Sequence, residues 1–331
     1  MNSIRAITFD RESDSIQKDI PSVNWKNHLN NNQFTIWVDL YGDQLDEFDR
    51  IFRETFQFHP LAIKDALIDS HVPRIDDWQD YIYLTLHCTA IRGENSGDIL
   101  IPELDVFIGN NYLVTFHKDA LPEIDSLFLE CERDAHFIEK GPAGLFYHLA
   151  DHMVNNYILA IKHIGEKIDQ VESEIFNHAK NEILGNIFSL KRTILQLRGV
   201  FLPQREVFNK LARGDFKIIP ETERIYFRDI YDHMAWLEEL NENLRDLVSG
   251  ATDTYLSVIN NRMNDVMKTL TMITTLFMPL AFITSFFGMS FFQPTVTREN
   301  WTGSIAFVLV LIILTLTPFL LLRWMRTKDR M

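Results

Sequence analysis

The sequence predicts an α+β membrane protein with a small N-terminal α/β domain, a long helical stalk and two C-terminal transmembrane helices. Three observations lead to this fold class. The first 120 residues alternate between strand-like and helix-like patterns, the pattern is almost continuously helical from Pro142 onward, and two long apolar stretches end the chain. Strands and helices are told apart here by apolar residues that recur with a period of 2 or of 3.6.

Composition excludes several classes of protein. The chain of 331 residues has 46 Asp+Glu against 32 Lys+Arg, and this acidic balance argues against a nucleic-acid partner. A hydrophobic fraction of 46% excludes disorder over most of the length. Two cysteines are too few for a disulfide scaffold or a cysteine-based zinc site. The first residues, MNSIRAITFDRESD, carry charges where a signal peptide needs an apolar segment, so we expect this domain to stay where it is made.

The N-terminal α/β domain is predicted over residues 1–141. Its strand-like segments are rich in Ile, Val, Tyr, Phe and Thr, which favour strands. They are SIRAITF, QFTIWVDLY, YIYLTLHCTA, ELDVFIG and NYLVTFH. Apolar residues at helical spacing predict helices in QLDEFDRIFRETFQF and PLAIKDALI.

Residues 142–268 are predicted to form a helical region that ends in a stalk helix. One amphipathic helix is expected from Leu145 to about Ala179 and another from Asn181 to Leu211. The last helix is expected to start near Glu221 and to continue past Gly250, a single weak point, to Pro279. A lone stalk of this kind would expose its apolar stripe, so we expect self-association.

Two segments are predicted to cross a membrane, 269–287 and 305–322. Their apolar runs, LTMITTLFMPLAFITSFF and IAFVLVLIILTLTPFLLL, are each about 27 Å long as helix, close to the hydrocarbon thickness. The tail 323–331 is basic and is therefore expected in the cytoplasm. Two spans place both termini on the same side, so the loop 288–304 is expected on the opposite side. Beyond residue 250 the net charge is +3 and the body carries −17, which favours cation handling by the body.

One face of the stalk helix and the first span that continues it has a distinct composition. Its residues recur at alternating spacings of three and four, which places them on one side of a helix. They are Asn264, Met267, Thr271, Thr274, Met278, Ala281 and Ser285. Small and polar residues of this kind are typical both of a pore lining and of a helix–helix packing face, and the spacing alone leaves both interpretations open.

Several segments, taken in order along nearly the whole chain, resemble the CorA family of divalent-cation channels. The stalk and first membrane helix, YFRDIYDHMAWLEELNENLRDLVSGATDTYLSVINNRMNDVMKTLTMITTLFMPLAFITSFFGM, carry most of the resemblance. KRTILQLRGVFLPQREVF is similar to the helical region of the family. FHPLAIKDALIDSHVPRIDDWQDYIYLTLH and DVFIGNNYLVTFH are similar to its N-terminal domain.

The resemblance implies a homopentameric funnel in the plasma (inner) membrane with both termini in the cytoplasm. Five stalk helices would line a pore, and the second membrane helices would form an outer ring. Mg²⁺ or another divalent cation is implied as cargo and as a regulatory ligand, with Zn²⁺ associated with one branch of the family. Neither an enzyme activity nor an organic cofactor is implied, and the sequence has no GxxxxGK[ST] nucleotide loop.

The residues of the implied pore mouth depart from the family pattern. The family motif Gly-Met-Asn is matched here by Gly288, Met289 and Ser290. A serine hydroxyl is a weaker acceptor on a shorter arm than a carboxamide, so it should hold the water shell of Mg²⁺ less selectively. Ala281 replaces a threonine often found one turn below, and the loop that follows the motif has no local net charge. We therefore expect relaxed selectivity.

The resemblance also assigns pore, gate and metal-binding residues. The pore and gate residues are Asn264, Met267, Leu270, Thr274, Met278 and Ala281. A ring of Met and Leu side chains can close a pore by dewetting, although coiled-coil packing is the alternative. Asp65 and Asp229 resemble acids that bind a regulatory ion between subunits, and Asp253 resembles a stalk acid that lines the pore. Lys64 stands where a second acid is often found and is expected to replace part of the ion's role with a salt bridge.

Three functions therefore follow from the sequence. The first is passive divalent-cation transport with relaxed selectivity. The second is a channel of the same kind for Zn²⁺ or a non-selective or mechanosensitive conductance, and the third is a non-conducting, membrane-anchored cation sensor. His148 and His152 have the spacing of metal ligands on a helix, but no third ligand is indicated and packing histidines are the expected interpretation.

Overall fold

A computed structural model describes residues 4–18, 20–69, 72–92, 98–178, 181–288 and 305–328. The chain divides into two compact units, residues 1–253 and residues 254–331. The first unit contains all of the strands that are described, together with the helices that pack on them. The second contains the C-terminal part of a long helix and the helix that follows it.

The first unit is built on a seven-stranded sheet with a separate two-stranded ribbon. The strands are β1 (Ile4–Asp10), β2 (Ser15–Lys18), β3 (Phe34–Tyr41), β4 (Arg74–Asp77), β5 (Tyr81–His87), β6 (Ala90–Arg92), β7 (Asp98–Leu100), β8 (Glu103–Gly109) and β9 (Tyr112–His117). The order in the large sheet is β2-β1-β3-β9-β8-β5-β4, while β6 pairs with β7. Within this sheet, β3 and β9 run parallel and the other pairs are antiparallel.

Helices cover both faces of the sheet. They are α1 (Ser22–Leu29), α2 (Leu45–Arg50), which continues as a π-helical turn over Ile51–Phe56, α3 (Pro60–Leu67), α4 (Pro122–Arg133), α5 (His136–Glu139) and α6 (Gly141–His178). On β3, Ile36, Val38 and Leu40 belong to a core shared with α2 and α3, whereas Trp37 points the other way and lies 5.0 Å from the ring of Phe128 on α4. The central strands are therefore apolar on both faces, which explains their nearly continuous hydrophobic sequence.

Two further long helices, α7 (Asn181–Arg213) and α8 (Arg224–Gly288), follow α6. A buried amide joins α6 and α7 to the end of β5. The backbone N–H of His87 donates to Oε1 of Gln204 at 3.0 Å, Gln204 Nε2 donates to the Tyr157 hydroxyl, and that hydroxyl donates to the His87 carbonyl. Because every member of this network is buried, it fixes the position of the two helices on the sheet.

Helix α8 has 65 residues and continues through Gly250 without a break. In the first unit its buried face carries Phe227, Ile230, Met234 and Leu237. The Asn241 side chain donates to the Ile194 carbonyl of α7 at 3.1 Å. The sequence prediction of a long helix starting near Glu221 is confirmed, because Glu221–Glu223 form a 3₁₀ turn that leads directly into α8.

Most predicted elements are confirmed, and several were missed. Each of the five predicted strands is present, as are the helices predicted around α2 and α3. The missed elements are short or polar, namely α1, α4, α5 and the strands β2, β4, β6 and β7. Both cysteines, Cys88 and Cys131, are buried and unpaired, in agreement with the absence of a disulfide framework.

In the second unit, the end of α8 is followed by α9 (Ile305–Lys328). Among the described residues, one helix is long and apolar enough to cross a membrane, and it runs over Glu221–Phe286 with none of its apolar window buried. The apolar part of α9 found by the same measure is the shorter run Leu311–Leu321. The second predicted span, 305–322, therefore stays a prediction.

Candidate functional site

The predicted pore and gate residues all lie on the C-terminal part of α8, and all are exposed in the single chain. Their spacing places them within about one third of the helix circumference. They are Asn264, Met267, Leu270, Thr274, Met278 and Ala281. Met278 is 72% exposed. On a water-soluble protein, apolar side chains along one face would normally be covered.

The other faces of this segment are also apolar and exposed. Val266, Ile273 and Phe277 are large side chains on these faces, and Phe277 is 65% exposed. A helix that is hydrophobic all round is stable in a core or in lipid rather than in water. The segment therefore has the surface of a helix that is covered by lipid or by other helices.

Two threonines of this helix donate their hydroxyl protons to backbone carbonyls of the preceding turn. Thr269 donates to the Asp265 carbonyl at 2.8 Å, and Thr274 donates to the Leu270 carbonyl at 2.9 Å. This bond to the preceding turn leaves no unsatisfied donor in an apolar medium. The hydroxyl oxygen of Thr274 keeps its lone pairs, so on the predicted pore face it can accept a hydrogen bond from the water shell of a cation.

The predicted pore mouth is described only in part. Gly288 is the last residue of α8. Met289 and Ser290 lie outside the described residues, as does the rest of the loop up to 304. The assignment of the mouth therefore remains a prediction from the sequence.

Asp65 is already engaged by a cation from its own chain. It lies on α3, where His59 caps the helix by accepting a hydrogen bond from the Leu61 N–H at 3.2 Å. Oδ2 of Asp65 lies 2.7 Å from Nη2 of Arg74, the first residue of β4. The salt bridge expected from the adjacent Lys64 concerns the contact between subunits and stays a prediction, whereas within this chain the cation that contacts Asp65 is Arg74. The sequence could not identify Arg74, because the contact depends on how α3 packs against the sheet edge.

Asp229 and Asp253 lie on α8. Oδ2 of Asp229 is 3.7 Å from Nδ1 of His233, one turn further along the helix. Asp253 is exposed at the end of the first unit. Within the part of the chain that the structure describes, no three His, Cys, Asp or Glu side chains come together in a way that could hold a metal ion. A site shared between subunits needs a second copy, so these three assignments remain predictions.

Sequence reasoning missed a buried charge cluster between β1, β3 and β9. The sheet register places Asp39 opposite both Arg5 and Thr115. Arg5 Nε lies 2.8 Å from Asp39 Oδ2, the Thr115 hydroxyl donates to Oδ1 at 2.6 Å, and His117 Nε2 lies 3.2 Å from the same oxygen. A signal was present in the sequence, because Asp39 is a charged residue in the middle of the apolar run FTIWVDLY.

The two titratable partners in this cluster hold each other in their charged forms. Burial alone would raise the pKa of Asp39, but hydrogen bonding to His117 and the charges of His117 and Arg5 lower it below its ordinary value. Burial alone would lower the pKa of His117, but its hydrogen bond to Asp39 and the charge of that carboxylate raise it. The cluster is therefore a buried ion pair that couples three strands.

Asp105 on β8 behaves in the opposite way. Burial, together with the charge of Glu103, raises the pKa of Asp105 well above its ordinary value. The Tyr83 hydroxyl donates to its Oδ1 at 2.5 Å. Asp105, Glu103 and His117 line a cavity of about 230 Å³ at this end of the sheet.

His148 and His152 are packing residues, as expected. Nε2 of His152 lies 3.0 Å from Oε2 of Glu130 on α4, which ties α6 to that helix. The ring of His148 lies edge-on to Phe137 at 4.9 Å. Burial, with the charge of Lys140, lowers the pKa of His148 and so keeps it neutral.

Comparisons with known proteins agree with this architecture. Residues 32–326 match the family described as CorA-like Mg²⁺ transporter proteins. The YfjQ protein of Bacillus subtilis is 31% identical over 259 residues, which are 78% of this chain and 79% of that protein. The cobalt/magnesium transport protein CorA of Thermotoga maritima is 30% identical over 266 residues, or 80% of this chain and 76% of the relative.

A solved structure shows the same fold over nearly the whole chain. The complete structure of the CorA magnesium transporter from Methanocaldococcus jannaschii superposes with a TM-score of 0.82 at 23% identity, covering 98% of each chain. The likeness covers the N-terminal sheet domain and the long helix. Given the family match over 32–326, this chain belongs to the family of CorA-like Mg²⁺ transporter proteins.

Proposed function

We propose that the protein carries divalent cations passively across the plasma (inner) membrane as a CorA-like homopentameric channel with relaxed selectivity. The observation that carries this proposal is the end of α8. An apolar window with none of its residues buried continues a helix that begins on the N-terminal domain. In water this surface would be strongly unfavourable, whereas lipid on one side and neighbouring copies on the other would cover it.

The pathway is formed by the face of α8 that bears Asn264, Thr274 and Met278. Five copies of this face would surround an axis, with the segments 269–287 and 305–322 as the two spans and both termini in the cytoplasm. Asn264 and Thr274 supply oxygen atoms that accept hydrogen bonds from the waters of a hydrated cation. The side chains of Met267, Leu270 and Met278 alternate with them along the helix and close the pathway by excluding water.

Selectivity is assigned to the mouth formed by Gly288, Met289 and Ser290. Mg²⁺ sheds its water reluctantly, so the mouth must recognise the hydrated ion. Serine accepts these hydrogen bonds from a shorter arm than asparagine, and Ala281 contributes no oxygen below it. The cargo is therefore a hydrated divalent cation that is held less selectively than by a ring of carboxamides.

Regulation is assigned to Asp65 and Asp229, with Asp253 as an acid facing the pathway. Two carboxylates that meet across a subunit boundary repel each other, and a divalent cation bridges them. An ion that binds only the closed arrangement shifts the population toward it. Internal Mg²⁺ is therefore the expected inhibitor of its own influx.

Ion uptake into proteoliposomes that hold the full chain tests the proposal. Mg²⁺, Co²⁺, Zn²⁺ and Na⁺ are compared, each with and without Mg²⁺ inside. Mg²⁺ influx that is suppressed by internal Mg²⁺ is the expected result. Flux of Zn²⁺ or Na⁺ without Mg²⁺ control would favour the second candidate, a channel of the same fold with a different or non-selective cargo, for which the Ser290 departure is the motivation. No flux of any ion would leave a non-conducting cation sensor.

The substitution Ser290→Asn tests the mouth. It restores the family motif, and one added net hydrogen bond of about 1 kcal/mol corresponds to about a fivefold gain in preference for Mg²⁺ over Na⁺. The measurement is the ratio of the two uptake rates in the variant and in the parent chain. Thr317→Asn on α9, outside the proposed pathway, is the control and should leave the ratio unchanged. An unchanged ratio in Ser290→Asn would show that the mouth does not select.

A further inference from the structure

We propose that Arg74 is an internal competitor of the divalent cation at Asp65, so that the guanidinium neutralises this carboxylate when no ion is bound and leaves it when an ion binds. This inference rests on the proposed function, which places Asp65 in the regulatory site. It adds a residue to that site which is not an oxygen ligand and which sets the ion concentration needed to occupy it.

The contact between the two side chains is close and accessible. Nη2 of Arg74 lies 2.7 Å from Oδ2 of Asp65, within the range of a charge-assisted hydrogen bond. The two side chains are 37% and 39% exposed, respectively. Because neither is locked in the core, the ion pair can open without any unfolding of the sheet edge.

Arg74 has a second position available when it leaves Asp65. Its Nε lies 3.6 Å from Oδ2 of Asp76, two residues further along β4. Its guanidinium carbon lies 5.8 Å from the centre of the Tyr83 ring on β5, within the reach of a cation–π contact. Asp76 and Tyr83 therefore hold the Arg74 guanidinium close to the site. They remain its partners when Asp65 binds an ion.

Charge balance makes the two cations exclusive. A divalent ion between Asp65 and Asp229 of two subunits neutralises two carboxylates, whereas the guanidinium of Arg74 already cancels the charge of Asp65. An ion that bound without moving Arg74 would bring like charges together in a partly desolvated place. The ion must therefore take over the oxygen atoms that Arg74 now contacts.

The chain segment that holds Arg74 near Asp65 sets the ion concentration needed to displace it. A group held on a short segment acts at an effective concentration of the order of millimolar. A free cation must therefore displace the Arg74 guanidinium before it binds Asp65. At low ion concentration Arg74 keeps the site empty. Removing the charge should thus increase the ion affinity by about the amount that an exposed ion pair contributes, about threefold to fivefold.

The experiment measures the internal Mg²⁺ concentration that halves ion uptake by the full chain in proteoliposomes. Arg74→Gln removes the charge, Arg74→Met is a second neutral variant in case the first does not fold, and Arg74→Lys keeps the charge. Arg53→Gln is the matched control, because Arg53 Nε lies 2.7 Å from Asp49 Oδ2 in another partly exposed pair outside the site. Protection of the chain from limited proteolysis by Mg²⁺ is recorded as a readout that does not depend on flux.

The neutral variants are expected to lower the half-inhibiting Mg²⁺ concentration, and the concentration that protects from proteolysis, by about threefold to fivefold. In Arg74→Lys and Arg53→Gln the half-inhibiting Mg²⁺ concentration should stay within about twofold of that of the parent chain. Both variants keep a positive charge at position 74. Unchanged values in both neutral variants, with a raised value in Asp65→Asn, would overturn this inference and keep the regulatory site. An unchanged value in Asp65→Asn would remove the regulatory site itself, and the role of Arg74 with it.

Discussion

At the scale of single residues, the molecule uses carboxylates in three different ways. Asp39 is buried and charged because His117 and Arg5 face it. Asp105 is buried with a raised pKa, because burial opposes its charge. Asp65 is half-exposed and paired with Arg74, which is itself partly exposed. Residue type alone did not distinguish these roles, since each depends on which strand or helix lies opposite.

The His117–Asp39 pair predicts a loss of stability at alkaline pH. Since the pKa of His117 is raised above 6.5, its contribution is fully present below pH 6.5 and is lost as the pH rises through the raised pKa. Asp39 has a lowered pKa, so its own contribution is lost only in strong acid, as the pH falls below 3.8. The free energy of unfolding of the N-terminal domain should thus decrease as the pH rises above 6.5.

His117→Gln should destabilise the domain by about 3 kcal/mol at pH 6 and should flatten this pH dependence. Denaturant unfolding at a series of pH values between 6 and 9 measures both effects. His136→Gln is the control, because His136 is exposed and its ion pair is with Glu139 of its own short helix. A slope in His117→Gln equal to that of the parent chain would assign the pH dependence to another group.

At the scale of elements, the long helices were the most predictable part of the chain. Their period of 3.6 persists over many residues, so α6, α7 and α8 were found nearly to their ends. The short elements α1 and β4 were missed, because their positions depend on the sheet that they join rather than on a pattern of their own. The Asp65–Arg74 contact was missed for the same reason, since it joins α3 to β4.

Two glycines inside α7 are predicted to be sites where substitution by alanine stabilises the chain. Gly185 and Gly199 lie inside α7, and an added Cβ at either position meets nothing within 4 Å. Gly185→Ala and Gly199→Ala should each stabilise the chain by about 1 kcal/mol, because glycine is costly in a helix interior. Thermal unfolding of the detergent-solubilised protein measures the change.

Gly109→Ala is the contrasting variant. A Cβ at Gly109 would lie 2.2 Å from the ring of Tyr112, so this change should destabilise the turn between β8 and β9. If Gly199→Ala also destabilised the assembled protein, then a neighbouring copy would have to pack against this face of α7. Stabilisation at both α7 positions would mean that the face is open to solvent.

At the scale of the whole molecule, the division into two units separates a water-soluble surface from an apolar one. The first unit has a packed core with helices on both sides of a sheet, while the exposed large hydrophobic residues of the second follow one another along α8 and α9. From charge, the sequence separates an acidic body, residues 1–250, from a basic C-terminal segment. The pore mouth and the contacts between subunits form only when several copies assemble. The pattern along one chain therefore does not define them.

This division predicts how two versions of the chain partition. A fragment of residues 1–253 should fold and stay in the aqueous phase without detergent, because it keeps its core and loses the apolar segments. The full chain should enter the detergent phase. Phase partitioning, with circular dichroism of the fragment, measures both. A full chain that remained in the aqueous phase would contradict the two predicted spans.

Because both cysteines are buried, the native chain should be unreactive toward thiol reagents. Burial, with the charge of Glu130, raises the pKa of Cys131 to about 12, and burial with the charge of Glu123 raises that of Cys88 well above its ordinary value. Near neutral pH neither sulfur is a thiolate, the form that reacts. A cysteine introduced at an exposed position of α8 would consequently be the labelled position, and the two native cysteines need not be removed. The whole length of the candidate ion pathway is thus open to residue-by-residue accessibility mapping in an otherwise unmodified protein.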